Sequence, residues 1–195
     1  MKLLKWIILI IIIGCSNSIN YNIRYQTGRS GSERERYLIY IDKDFDIGDR
    51  HSINRSIERW NEALGGMIVL EVRTFEFDMD PSILRECDEH CWFFLKVDHN
   101  SKFKPSEKVG EWVLAFCDRI SGTKMYVIRD RLSWVDMEPV VLHEIGHLLG
   151  SPHTGNYLMY PYYDAERFRC IDYDTMNRVS REHNLDMKKL NYCIR

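Results

Sequence analysis

Beyond the leader at its N-terminus, this sequence lacks long apolar runs, internal repeats and any strong excess of one charge. The 27 basic and 29 acidic side chains give a formal net charge of −2, so there is no basic surface of the kind that binds nucleic acid. The absence of repeats argues against a stacked repeat architecture. A chain of 195 residues with 45% hydrophobic residues is instead typical of one ordinary globular domain.

The leader combines a positive start with a short apolar run. Two lysines precede the wholly apolar residues 6–13, which are too few to span a membrane comfortably and are typical of a secretory signal. The Ile-Ile-Gly-Cys sequence that ends at Cys15 resembles the lipobox of bacterial lipoproteins, which implies cleavage before Cys15 and lipidation of its thiol. We therefore expect a signal peptide at 1–14, a lipid-anchored flexible tether at 15–35, and a protein that faces the periplasm or the cell surface. The alternative is a plain secretory signal or an uncleaved anchor in which Cys15 has no role.

The five remaining cysteines are an odd number, so they cannot all pair within one chain. Cys170 and Cys193 flank the predicted C-terminal helix and could join the tail to the domain. Cys87 and Cys91 could pair with each other or with Cys117, and the spacing leaves the connectivity open. We expect one cysteine to remain a thiol. A zinc site built from cysteines is the competing interpretation, but only the first two of these cysteines have a short spacing.

Residues 36–195 show the periodicities of a mixed α and β domain. The pattern predicts an acidic loop at 74–90 and β-branched or aromatic strands at 37–41, 67–73, 92–97, 112–117 and 124–129. A helix capped by Asp49 is predicted to bury one stripe of side chains, namely Ile53, Ile57, Trp60 and Leu64. A second helix has Pro139 in its first turn, and Asp172 or Asp174 caps a third.

The strongest signal is the segment His-Glu-Ile-Gly-His-Leu-Leu-Gly-Ser-Pro-His that begins at His143. A helix places His143 and His147 on one face, one turn apart, where both imidazoles can bind one metal ion. Gly150 can adopt the left-handed conformation that ends the helix, and the turn returns His153 as a third ligand. Three protein ligands leave one tetrahedral position for water, which is typical of a catalytic zinc site. Glu144 can act as general base without binding the metal.

A second signature follows the third histidine. Met159 lies where the metzincin metallopeptidases have a methionine in a tight turn, although alone it would be ordinary core filler. The sequence Leu-Met-Tyr-Pro at 158–161 resembles the matrixin branch, the matrix-metalloproteinase-like peptidases, as do residues 50–66 and 113–115. The resemblance extends from about residue 37 to 186 and is most specific around the histidines.

The resemblance implies a single α+β domain with the zincin, metzincin-like fold. Its expected parts are a twisted, mostly parallel five-stranded sheet, an edge strand bordering the cleft, an active-site helix and a C-terminal helix. An exposed edge strand can pair with an extended peptide, so a peptide or protein substrate would bind by strand addition. We expect a monomer.

The resemblance also implies a set of site residues. They are the metal ligands His143, His147 and His153, the general base Glu144, the apolar floor Met159, and the pocket residues Ala115, Pro161 and Tyr162. Some metzincins have a tyrosine ligand two residues after the methionine, but here that position is proline, so we expect no tyrosine ligand. One catalytic zinc ion is expected. Vertebrate matrixins also hold a second, structural zinc ion in a loop rich in His and Asp. The loop that begins at Asp98 offers only Asp98 and His99 for such an ion, and calcium has no support in the sequence.

The sequence therefore predicts a zinc-dependent endopeptidase. In that reaction Glu144 removes a proton from the attacking water and returns it to the leaving amine. One alternative is a membrane-anchored lipoprotein that keeps the fold but only binds a partner, and another is a zinc hydrolase acting on a non-peptide bond. The complete set of ligands and base argues against the first alternative. Cleavage of a denatured protein mixture, with and without a zinc chelator, would separate the classes.

Overall fold

The computed structural model describes residues 35–77, 90–98, 110, 112–132, 136–155, 157–164 and 170–193. The expected signal peptide, the lipidation of Cys15, the pairing of Cys87 and the loop with His99 lie outside them. Within this part of the chain, no helix combines the length and apolarity needed to cross a lipid bilayer.

A five-stranded sheet forms the centre of the described fold. Its strands are β1 (Glu35–Asp42), β2 (Ile68–Phe77), β3 (Cys91–Val97), β4 (Ala115–Cys117) and β5 (Lys124–Ile128), in the order β2-β1-β3-β5-β4. Four of these strands pair in parallel, and the short edge strand β4 runs antiparallel to β5. The mostly parallel five-stranded sheet that the resemblance implied is confirmed.

Two strand boundaries differ from the prediction by three residues or more. β2 continues to Phe77, because three of its last four residues, Thr-Phe-Glu-Phe, are β-branched or aromatic types that favour a strand over the predicted acidic loop. β4 starts only at Ala115, and the side chain of Arg131 binds carbonyl groups of the chain before it. Arg131 Nη1 donates to Gly110 O at 2.7 Å and to Val113 O at 2.8 Å. This arginine therefore fixes the chain where it enters the edge strand.

The α-helices of the described residues are α1 (Ile47–Leu64), α2 (Met137–Leu148) and α3 (Tyr173–Glu182). The prediction that Asp49 caps α1 is wrong, because Asp46 does so by accepting a hydrogen bond from the Asp49 N–H at 2.8 Å. The Asp49 carboxylate instead accepts a hydrogen bond from Arg129 Nε at 2.8 Å. Of the two candidates for α3, Asp172 is the cap, and it accepts a hydrogen bond from Thr175 N at 3.0 Å.

Helix α1 supports α2 along one face. The predicted stripe is buried, and each of its large side chains contributes roughly 2 kcal/mol through that burial: Ile53, Ile57, Trp60 and Leu64. Trp60 Nε1 donates to Leu142 O at 2.9 Å, and Ser56 Oγ donates to Glu138 O at 2.9 Å. Two polar contacts spaced along α2 therefore fix its position on α1.

Among the described cysteines, three are disulfide-bonded and one is a thiol. Cys170 and Cys193 form the expected C-terminal disulfide, with Cα atoms 6.1 Å apart, and join the segment before α3 to the tail. Cys91 is also disulfide-bonded. Cys117 is a buried thiol with 2% of its surface exposed, so the suggestion that it pairs with Cys87 or Cys91 is wrong.

Candidate active site

Local signals define the helix that bears the first two histidines. Asp136 caps α2 by accepting a hydrogen bond from Glu138 N at 3.1 Å, and Pro139 occupies the first turn, where no donor is needed. The chain turns away at Gly150, whose φ is +88°, and a Cβ there would lie 2.6 Å from Glu182 Cγ. Only glycine fits both the left-handed turn and the close contact. The helix therefore presents the two histidines one turn apart, and the chain then reverses toward the third.

Three histidines converge on one point. Ligand atoms of His143, His147 and His153 all lie within 4.8 Å of one another. His143 Nδ1 donates to Leu158 O at 2.5 Å, and His147 Nδ1 donates to Ser151 O at 2.7 Å. Because a carbonyl oxygen can only accept, each of these Nδ1 atoms holds the hydrogen, and Nε2 keeps the lone pair that a metal needs.

Burial keeps these rings neutral. It lowers the pKa of His147 to about 3, with a smaller contribution from the nearby third ring, and it also lowers the pKa of His153. For His143, burial and then the two neighbouring histidines hold the pKa well below its usual value. Metal binding requires the neutral imidazole, so all three rings are in the state that can act as ligands.

The donor set fits zinc. The Nε2 atoms of His147 and His153 are buried and make no hydrogen bond to the described residues. Buried polar atoms in this state cost stability unless a ligand satisfies them. Three imidazole nitrogens are a common set for a tetrahedral catalytic zinc ion with its fourth position open to water.

Glu144 follows the first ligand in sequence but is not one of the converging ligand atoms. Its side chain is fully buried, and burial raises its pKa to about 8 although a hydrogen bond from Cys117 opposes the rise. The Cys117 thiol donates to Glu144 Oε2 at 3.2 Å. The other oxygen, Oε1, is buried and makes no hydrogen bond to any described residue. The carboxyl group therefore has one anchored oxygen and one that can accept a proton.

Met159 ends a short 3-10 turn, Tyr157–Met159, and is fully buried. A Cβ on Gly146, inside α2, would lie 2.6 Å from Met159 Sδ, so the helix and the turn can approach this closely only because that residue is glycine. Thr154 N donates to Met159 O at 2.8 Å. This bond joins the methionine turn to the loop that bears the third histidine.

The methionine turn is also held from α3. The carboxylate of Asp172, which is 4% exposed, accepts hydrogen bonds through Oδ2 from Leu158 N at 3.2 Å and from Thr175 Oγ1 at 2.7 Å. Because Leu158 O in turn accepts the hydrogen bond from His143, Asp172 supports the first ligand through a single residue of the turn.

The three predicted pocket residues lie on two elements. Ala115 is fully buried at the start of β4, opposite Val127 of β5. Pro161 and Tyr162 follow the methionine turn and are half-buried, and the Tyr162 ring lies 5.4 Å from that of Tyr160. Their contribution to a substrate pocket stays a prediction.

The sequence interpretation missed several supports of the site. Gly146 had a signal, because a glycine inside a helix costs about 1 kcal/mol and indicates a close approach. Cys117 also had one, because it lies two residues after Ala115 and therefore on the same face of that strand. The acceptors for the histidine rings had no such signal in the sequence. They are the backbone carbonyl groups of positions 151 and 158, and every residue type has that group.

Comparisons with known proteins agree with this geometry. A family model described as matrixin matches residues 49–181. No curated protein sequence matches the chain. Among solved structures, metalloproteinase-II from Bacteroides fragilis is similar, with a TM-score of 0.51 and 17% sequence identity. The match covers 89% of this chain and 57% of that one, so this chain spans a little over half the length of its structural neighbour. At this identity the likeness concerns the fold.

Proposed function

The chain belongs to the matrixin family of zinc metallopeptidases, and on that premise we propose that it is an endopeptidase with Glu144 as general base. The observation that supports the proposal most directly is the convergence of three neutral histidines next to a buried carboxyl group. In the proposed site, His143, His147 and His153 hold one zinc ion.

A zinc ion at this position supplies Lewis acidity toward a water molecule and the scissile carbonyl group. The Nδ1 hydrogen bonds of His143 and His147 fix the ring orientations that such a ligand needs. In its ionised form, which a nearby positive charge favours, Glu144 accepts the proton of the attacking water through Oε1, an oxygen without a hydrogen bond to any described residue. Because its carboxyl group is shielded from bulk solvent, the same residue then donates that proton to the leaving amine.

The substrate is proposed to bind as an extended strand along β4. This strand forms one edge of the sheet, and the contact between Cys117 and Glu144 places that edge beside the proposed base. Ala115 would offer backbone groups to the peptide, while Pro161 and Tyr162 would border the pocket for the side chain after the cut bond. The enzyme is proposed to act as a monomer, because the three ligands and the base form a complete site without a residue from a second copy.

Replacement of the proposed base tests this function. Glu144→Gln should lower kcat/KM on a denatured protein such as labelled casein by about a thousandfold, because proton transfer loses its acceptor. The variant should still hold one zinc ion per chain, measured by metal analysis after dialysis. Glu138→Gln, on the same helix but bonded to Arg55 and Arg59, is the matched control and should cleave at the original rate. Cleavage by Glu144→Gln at the original rate, or cleavage that a zinc chelator leaves unaffected, would contradict the proposal.

We also propose that the protein is exported and anchored through a lipidated Cys15. The positive and apolar leader supports this, and so does the Cys170–Cys193 disulfide, because disulfides persist mainly in oxidising compartments. Cys15→Ser should move the protein from the membrane fraction to the soluble fraction and abolish labelling by a radioactive fatty acid. Equal labelling of both forms would exclude Cys15 as the lipidation site.

A further inference from the structure

Cys117 makes a contact that the proposed reaction does not yet explain. It is the last residue of β4 and is 2% exposed. Its Sγ lies 3.2 Å from Glu144 Oε2 and 3.4 Å from Glu144 O. A side-chain oxygen and the backbone oxygen of one residue are therefore both within hydrogen-bond distance of this thiol. A thiol has one hydrogen to donate, and a carboxylate oxygen is its stronger acceptor.

The two oxygens of Glu144 therefore differ. Oε2 accepts from the thiol, whereas Oε1 is buried and makes no hydrogen bond to the described residues. A glutamate side chain has three rotatable bonds, and a contact at one oxygen limits the directions that the other can take. Anchoring of this kind favours proton transfer because a general base must be held within hydrogen-bond reach of the proton.

We propose that Cys117 is a positioning residue that orients the carboxyl group of Glu144 for proton transfer. The inference rests on the proposed role of Glu144 as base and adds a second task for β4. Ala115 and Cys117 lie two residues apart on one face of this strand, so the element proposed to bind the peptide also aligns the base. The same strand would thus bind the substrate and position the base.

Steady-state kinetics on labelled casein test this role. Cys117→Ala should lower kcat about fivefold to tenfold, which is the loss expected for one hydrogen bond, and should leave KM within about twofold. Cys117→Ser should restore kcat to within about threefold of the original, since a hydroxyl group donates the same bond. Met125→Leu is the control, because Met125 is the buried register partner of Cys117 on β5 and the change conserves volume. An unchanged kcat in Cys117→Ala, or equal losses in the alanine and serine variants, would overturn the inference.

A second measurement needs neither zinc nor activity. The S–H stretching band of Cys117 can be isolated in a Raman difference spectrum between the metal-free protein and its Cys117→Ala variant. In a Glu144→Ala background the band should move to the position of a weaker hydrogen bond, whereas in Glu138→Gln it should stay. A band that does not respond to Glu144→Ala would overturn the inference and leave the proposed function intact. An active Glu144→Gln enzyme would instead overturn the proposed function.

Discussion

The ligand segment, residues 136–160, and the edge strand β4 both contribute to the candidate site, but different interactions hold them. In the ligand segment, the hydrogen bonds that orient the histidine rings have both partners within the segment, as between the His147 ring and the Ser151 carbonyl. The three residues of β4 depend on another element, because Arg131 binds the carbonyl groups of the chain that enters the strand. The hydrogen bonds that orient the ligand rings thus stay within one segment, whereas the border of the cleft depends on a side chain from outside its strand.

This difference predicts two kinds of functional loss. Substitutions in the ligand segment should weaken metal binding, because the hydrogen bonds of that segment orient the ligands themselves. Changes around β4 should alter how a peptide or the base is held while the metal stays bound. The comparison fails if the two regions respond to substitution in the same way.

Removal of a ligand should have the largest effect. His147→Ala should leave the protein with almost no bound zinc after dialysis, because one of three nitrogen donors is lost. Cleavage of labelled casein should fall by about a thousandfold or more, because the positive charge of the zinc ion is lost with it. His51→Ala changes an exposed histidine of α1 and serves as the control. If His147→Ala keeps one zinc ion per chain, the ligand set is wrong.

A methyl group added inside α2 should have an intermediate effect. Gly146→Ala places a Cβ 2.6 Å from Met159 Sδ, and the resulting overpacking should lower the free energy of unfolding by about 1–3 kcal/mol in urea denaturation. Gly155→Ala is the matched control, because a Cβ there meets nothing within 4 Å. In a Met159→Ala background, Gly146→Ala should cost less, because the sulfur that the new Cβ would meet is absent. Equal stability of the two glycine variants would show that helix and turn are not in close contact.

Loosening of the edge strand should have the smallest effect. Arg131→Gln removes the charged donor to Gly110 O and Val113 O, so KM for casein should rise about threefold to tenfold while zinc content is unchanged. Arg36→Gln changes an arginine whose side chain is 61% exposed and should leave KM as it was. Loss of zinc from Arg131→Gln would show that the two regions are not separable.

The sequence allowed the ligand segment to be predicted in more detail than its surroundings. The spacing of His143 and His147 and the turn at Gly150 are local properties of a helix and its end, so periodicity was enough to bring the three ligands together. The cap of α1 was misplaced because Asp46 and Asp49 are chemically identical, and the choice between them depends on Arg129, far along the chain.

The edge strand shows the opposite case. A run of apolar residues suggested a strand at 112–117, but the pairing begins only at Ala115. Before it, the carbonyl groups of Gly110 and Val113 accept hydrogen bonds from Arg131, a side chain that has no local signature. The same limit applies to Cys117, whose contact with Glu144 joins residues 27 apart in the chain.

The bond between Thr154 N and Met159 O has a consequence for protein engineering. It closes the stretch between them into a loop of fixed length, and one end of that loop adjoins the third histidine while the other adjoins the carbonyl group that orients the first. Insertion of a single residue there would displace two ligands at once. A designer who grafts the zinc motif onto another scaffold would therefore have to transfer this loop unchanged, together with an acceptor at the position of Asp172 and a glycine at the position of Gly146.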